Sequence, residues 1–258
     1  MNEAIPPAIP TAAVATEARP GLWSPAPLGS VPEEKEPIDG AISAFEAILR
    51  QPRRVMYQLF DPAGRNTRAA LLLITILLAL IYGFVVGTFS GGDQYWAAPV
   101  KVAAGLMLSA LICLPSLYIF SCLSGAHARL ADVWGLVAGL IALMMILLIG
   151  FAPVAWVFSQ STESATFMGF LHLMFWMIAV YFGVGFLKAG FAHLRSNSEG
   201  GVNTWVVIFL LVMLQMTCAL RPLIGTAPTM LPTEKKFFVG HWLDNLKGER
   251  SGEYGGKR

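Results

Sequence analysis

Val133–Phe158 reads VWGLVAGLIALMMILLIGFAPVAWVF, with no charged side chain in it. A hydrocarbon core ~30 Å thick needs about 20 apolar residues at 1.5 Å rise each, and this segment supplies them. Lipid offers the backbone no water, so such a segment must bond its amides internally, as a helix. Four more stretches resemble it: Ala69–Phe89, Val100–Leu123, Ala165–Leu187 and Thr204–Leu220. The expected fold is an all-α integral membrane protein with five transmembrane helices, forming a bundle over 69–225.

Composition agrees with this. Hydrophobic residues make up 55% of the chain and charged residues 13%, the profile of an integral membrane protein. A net charge of +2 gives no reason to expect nucleic acid. Cys113, Cys122 and Cys218 lie within or at the ends of apolar segments, outside any CxxC or spaced Cys/His set. They read as small packing residues. No secretory signal opens the sequence. Residues 1–40 are Pro/Ala-rich and close on Glu33-Glu34-Lys35-Glu36, an extended or disordered cytoplasmic arm that cannot bury a core of its own.

Basic residues give an orientation. Arg50, Arg53, Arg54, Arg65 and Arg68 precede the first segment, Arg129 follows the second, and Lys188 and Arg195 follow the fourth. The opposite loops carry Lys101 with acidic Asp93 and Glu163. Positive charge stays inside, so the N-terminus is expected in the cytoplasm and the C-terminus outside. If the source is bacterial, the membrane is the cytoplasmic (inner) one. The basic tail beyond Arg221 argues the other way, but the short loops agree with one another.

Over residues 41–62, Ile42, Phe45, Ile48, Leu49, Val55, Met56, Leu59 and Phe60 recur at helical spacing. Pro52 interrupts the pattern, which predicts two short helices or one kinked helix. Basic and amphipathic, this segment is expected at the membrane surface, with Arg50, Arg53 and Arg54 near anionic headgroups. Anchoring the first span and docking a partner are both open to it.

Gly83/Gly87 and Gly135/Gly139 stand at the spacing that lets another helix backbone come close, so they predict helix-packing faces within the chain. Pro115 with Ser116, and Gly150 with Pro153, mark expected kinks. His172 and Gln215 are the hydrogen-bonding side chains deep in the predicted spans. Each is ~10 Å from the same end of consecutive helices, which predicts a polar pair, either glue between helices or a small polar pocket. Arg221-Pro222 ends the fifth segment, with the cation at the helix C-terminus. Phe237, Phe238 and Trp242, among Lys235, Lys236 and His241, predict a second interfacial segment within the C-terminal region 226–258.

No Walker A loop, dinucleotide fingerprint, HExxH or Gly-x-Ser-x-Gly elbow occurs. The predicted spans hold no Asp or Glu, which a proton-coupled transporter would use. No catalytic, cofactor-binding or metal-binding residues are assigned, and no enzyme activity is expected.

The Phe-x-x-Ile-Leu-x-x-Pro-Arg element from Phe45 to Arg53, after a Pro-rich arm and before five closely spaced spans, resembles the bacterial branch of the Yip1-type membrane proteins. Leu114-Pro115-Ser116-Leu117-Tyr118, and Gln215-Met216 with Leu220-Arg221-Pro222-Leu223-Ile224-Gly225, resemble an uncharacterised bacterial five-span set within it. Cys218 and Leu223 depart from that set's pattern. The resemblance spans about residues 42–240. It implies a five-helix fold and, from the eukaryotic relatives, membrane shaping and vesicle traffic with small GTPase partners; it brings no catalytic residues. The expected function is a membrane scaffold or organising factor whose partners are the bilayer and a membrane protein or a second copy of itself. An accessory subunit of a larger energy-converting or secretory complex, and a small transporter component, are the alternatives.

Overall fold

The computed structural model describes residues 27–62, 64–194 and 200–219. Arg221, Pro222, the C-terminal segment 226–258 and the first part of the N-terminal arm lie outside the described residues, as does the side chain of Cys218. Among the described residues, seven α-helices and one short 3-10 turn, Pro32–Lys35, make up the regular structure, with no strand. Helices α1 (Gly40–Arg50) and α2 (Pro52–Phe60) precede α3 (Arg65–Ser90), α4 (Gln94–Leu123), α5 (Leu130–Ser161), α6 (Ala165–His193) and α7 (Gly200–Ala219).

Four of these, α3 to α6, are long and apolar enough to cross a membrane. Each extends past its apolar segment to a local stop signal. Gly91, at φ 67°, ends α3 by donating its amide to the Gly87 carbonyl, the left-handed cap that glycine adopts without a Cβ clash. The Asp132 carboxylate accepts the Arg129 amide and guanidinium at the start of α5, and the Ser164 hydroxyl accepts the Phe167 amide at the start of α6. α7 runs through most of the fifth predicted segment, and the shorter part 201–216 has described side chains. The break between α1 and α2 falls at Gln51, before Pro52, where proline disfavours the helical conformation.

The helices lie in the order α6, α5, α3, α4, α7, with α4 also touching α5. In its apolar window α5 is 78% buried, against 33–44% for α3, α4 and α6. It is apolar all round, as a central helix is. The outer faces of the other helices carry exposed large apolar side chains, among them Leu77 and Ile81 on α3, Leu111 on α4 and Met177 on α6. In water, so broad an apolar exterior would drive association; facing lipid it costs nothing. This is the build of a helical membrane protein.

The glycine pairs mark contacts within the chain. A Cβ on Gly83 would stand 2.4 Å from Pro99 Cα, and one on Gly87 2.6 Å from the Gln94 carbonyl oxygen. These two glycines let the backbones of α3 and α4 meet. Gly135 and Gly139 serve different neighbours: Leu59 of α2 lies over the first and the Phe186 ring of α6 over the second.

Candidate functional site

At one end of the bundle α3, α5 and α7 begin while α4 and α6 finish, and α1 and α2 fold across that end. Ala44, Ala47 and Ile48 of α1 and Val55, Met56 and Leu59 of α2 are buried in the common core. The segment expected as an interfacial helix is therefore a pair of short helices docked on the bundle. Its amphipathic pattern is real, but much of the apolar face meets protein rather than lipid.

This changes the reading of its arginines. Arg53, expected near headgroups, is buried: its Nε donates to Glu34 Oε1 at 2.7 Å, with the two side chains 5% and 8% exposed. Its Nη2 reaches the Pro27 carbonyl, while the other Glu34 oxygen accepts the Gly29 amide. Removing charge from water is costly, so such a pair persists only where further hydrogen bonds complete it, as here. Arg54, also expected at the membrane surface, donates to the carbonyls of Glu36 and Pro37 at 3.1 and 2.8 Å. Only Arg50 stays in the open, paired with Glu46 one turn earlier at 2.8 Å. Residues 27–39 of the arm thus form a strap over α2, fixed by two arginines and by buried Ile38.

Arg129, beyond α4, donates from Nη2 to the Phe60 carbonyl, and Arg68 donates to the Ala131 carbonyl. Arg129 is therefore a strut between cap and bundle, and Arg68 one between α3 and the start of α5. Between strap, α2 and α6 lies an open cleft of about 680 Å³ lined by Pro27, Leu28, Tyr57, Phe60, Asp61, Pro62, Ala192 and His193.

Within the bundle, His172 is buried, and its Nδ1 stands 2.7 Å from the Tyr82 hydroxyl of α3. An imidazole protonated at Nε2 accepts the hydroxyl's hydrogen at Nδ1. Trp176, one turn on, meets the Tyr82 ring edge-on at 6.4 Å between centroids. Gln215 is exposed on α7, which packs against α4. The His172–Gln215 pair expected from matched depth is not brought together by a hydrogen bond: α6 lies beside α5, and His172 finds its partner on α3.

Two contacts had no counterpart in the sequence reading. Trp205 of α7 is fully buried and donates from Nε1 to the Cys113 carbonyl at 2.8 Å. The Ser116 hydroxyl donates to the same oxygen. Both bonds lie beside Pro115, although the carbonyl its missing amide leaves without a helical donor is that of Leu111 rather than Cys113. Near the other end of the bundle, Gln94 is buried with its Oε1 lacking a hydrogen-bond donor. Among the described residues no three His, Cys, Asp or Glu side chains gather as a metal site.

No protein-family model, curated protein or solved structure matches this chain.

Proposed function

We propose that the chain is a non-enzymatic five-helix protein of a cytoplasmic membrane, a scaffold that organises the membrane or a protein assembly in it. The capped end faces the cytoplasm, and α7 is the fifth span. The cap is the observation that supports this most: two docked short helices and a strap hold a fixed surface at the basic end of the bundle. The Yip1-type resemblance of Phe45–Arg53 falls within that same helix pair. The intramembrane histidine, which would serve a transporter, is instead joined to Tyr82. The accessory-subunit reading draws on α4, the least covered of the four long helices at 33%, whose open face suits a neighbouring subunit.

The test is purification of the tagged full chain in mild detergent, with mass spectrometry, beside a variant lacking residues 1–26. That deletion stops short of the strap and leaves the cap whole. A stoichiometric partner set that depends on the arm supports a scaffold working through its cytoplasmic side. A set retained in full without the arm favours the subunit reading, and a lone monodisperse protein in both preparations overturns both.

A further inference from the structure

The cleft at the capped end is lined by Pro27 and Leu28 of the strap, by Tyr57 and Phe60 of α2 and by Ala192 and His193 in the last turn of α6. Pro27 is held there, because its carbonyl accepts Arg53 Nη2 at 3.1 Å. It is also the first described residue. The arm before it therefore joins the described chain at the cleft itself.

We infer that the cleft is the docking site of the chain's own segment 20–26, with the Trp23 indole seated against Tyr57 and Phe60. Residues 1–26 lie outside the described residues. Trp23 stands four residues before Pro27, ~13 Å at full extension, so its ring stays within reach of the cleft. It is the only aromatic residue before Phe45. An indole has a large apolar body and one polar tip, which suits an open cleft walled by aromatic rings and proline. Its Nε1–H is a donor only, and the Asp61 carboxylate on the lining is an acceptor for it.

Charge selects a neutral occupant. Asp61 is on the lining, and Lys35 runs past the Tyr57 ring at Gly29. The two guanidiniums that reach lining residues, Arg53 at Pro27 and Arg129 at Phe60, are bound to Glu34 and Asp132. An anionic ligand would find both of them taken. No charged residue stands between Arg19 and Glu33, so the segment is neutral throughout. Pro25 and Pro27 fix two φ angles and hold Ser24 and Ala26 extended, so little freedom is lost on docking. At an effective concentration of about 1 mM, set by so short a link, an intrinsic dissociation constant of ~0.3 mM fills the cleft about three-quarters of the time. Docking extends the strap back to Pro20, and residues 1–19 alone project from the cap. The inference rests on the cleft and stands or falls apart from the scaffold reading.

The test uses the full chain, one copy per nanodisc, with 5-fluorotryptophan in place of tryptophan. The fluorine resonance missing from Trp23→Phe belongs to Trp23. Its relaxation by a water-soluble gadolinium chelate is compared with that of a free peptide of residues 18–27. Trp23 in the chain is expected to relax about fourfold less than in the peptide, as such an occupancy requires. Ala192→Phe, at an exposed position on α6, sets a ring into the cleft, and Phe60→Ala removes one from its wall. Each should return Trp23 to the relaxation of the peptide. The Trp176 and Trp205 resonances of α6 and α7 should stay in place, showing the bundle intact.

Relaxation of Trp23 equal to that of the peptide in the unaltered chain overturns the inference. So does protection that both cleft variants leave intact, which would put the indole in lipid or on another face of the protein. Protection seen with two copies per nanodisc but lost with one would give the cleft to the arm of a second copy, and overturns it likewise.

Discussion

The cap and the bundle are held together by opposite means. In the bundle, α3 and α4 meet backbone to backbone over Gly83 and Gly87, and polar side-chain links between helices are few. In the cap, short helices with modest apolar faces are tied by arginines to carbonyls and to one buried carboxylate. The difference follows from solvent. Between helices in lipid there is little hydrophobic drive, so close fit decides. At the water-facing end an arginine can exchange hydration for fixed partners, and its fork of donors sets geometry as well as energy.

A large effect is expected at the fit. Gly83→Ala would put a methyl 2.4 Å from Pro99 Cα, a backbone atom that cannot rotate away. The helices must separate, at a cost of about 3 kcal/mol, read as a lower midpoint in detergent-denaturant unfolding. Gly139→Ala meets the Phe186 ring at the same 2.4 Å, but a side chain has more freedom to yield. Its loss should be smaller. Equal losses would show that local ring packing is as rigid as backbone contact and would blunt the contrast.

Breaking the cap's buried pair should cost at least as much. Arg53→Ala leaves Glu34 buried without its ionic partner, which should cost about 3–5 kcal/mol. Protease cleavage in the strap and α2 should rise before the bundle is cut. The double variant Arg53→Met with Glu34→Met should recover most of that loss, since no charge is left stranded. A double variant as weak as the single one would mean that the carbonyl and amide bonds to the strap, rather than the ion pair, hold the cap.

The sequence made the helices legible because apolar length and stop signals are local properties. The Gln51–Pro52 break and the lipid-sized segments rest on a few neighbouring residues each. Lateral order is not local. α3 and α5 look alike in apolar content, yet one is central and the other partly bare. For the same reason matched depth joined His172 to Gln215 on the next helix in sequence. Tyr82, ~10 Å from its own end of α3, was equally matched and is the actual partner. Arg50 and Arg53 were likewise indistinguishable as basic residues of one amphipathic pattern. What separates them is Glu34, brought by a strap that composition alone marked as an arm.

Tyr82→Phe sharpens the bundle side of the comparison. It removes one hydroxyl and keeps the ring against Trp176. The loss should be about 0.6–1 kcal/mol, in the usual range for a hydrogen bond between helices in a membrane. A loss several times larger, again in detergent-denaturant unfolding, would make the Tyr82–His172 contact a principal tie between α3 and α6 and the bundle more polar in character than its glycines suggest.

The smallest effect belongs to the cap's other arginine. Arg50 and Glu46 are well exposed and one turn apart, so their attraction is screened by water and salt, and Arg50→Ala should change unfolding stability by less than about 0.5 kcal/mol. Alanine also favours the helix slightly, which offsets part of even that. Arg50 and Arg53 are three residues apart on either side of one proline, and about tenfold in stability cost should separate their alanine variants. If Arg50→Ala in a detergent micelle cost as much as Arg53→Ala, Arg50 would be holding protein as Arg53 does, and the contrast between the exposed and the buried arginine of the cap would fail.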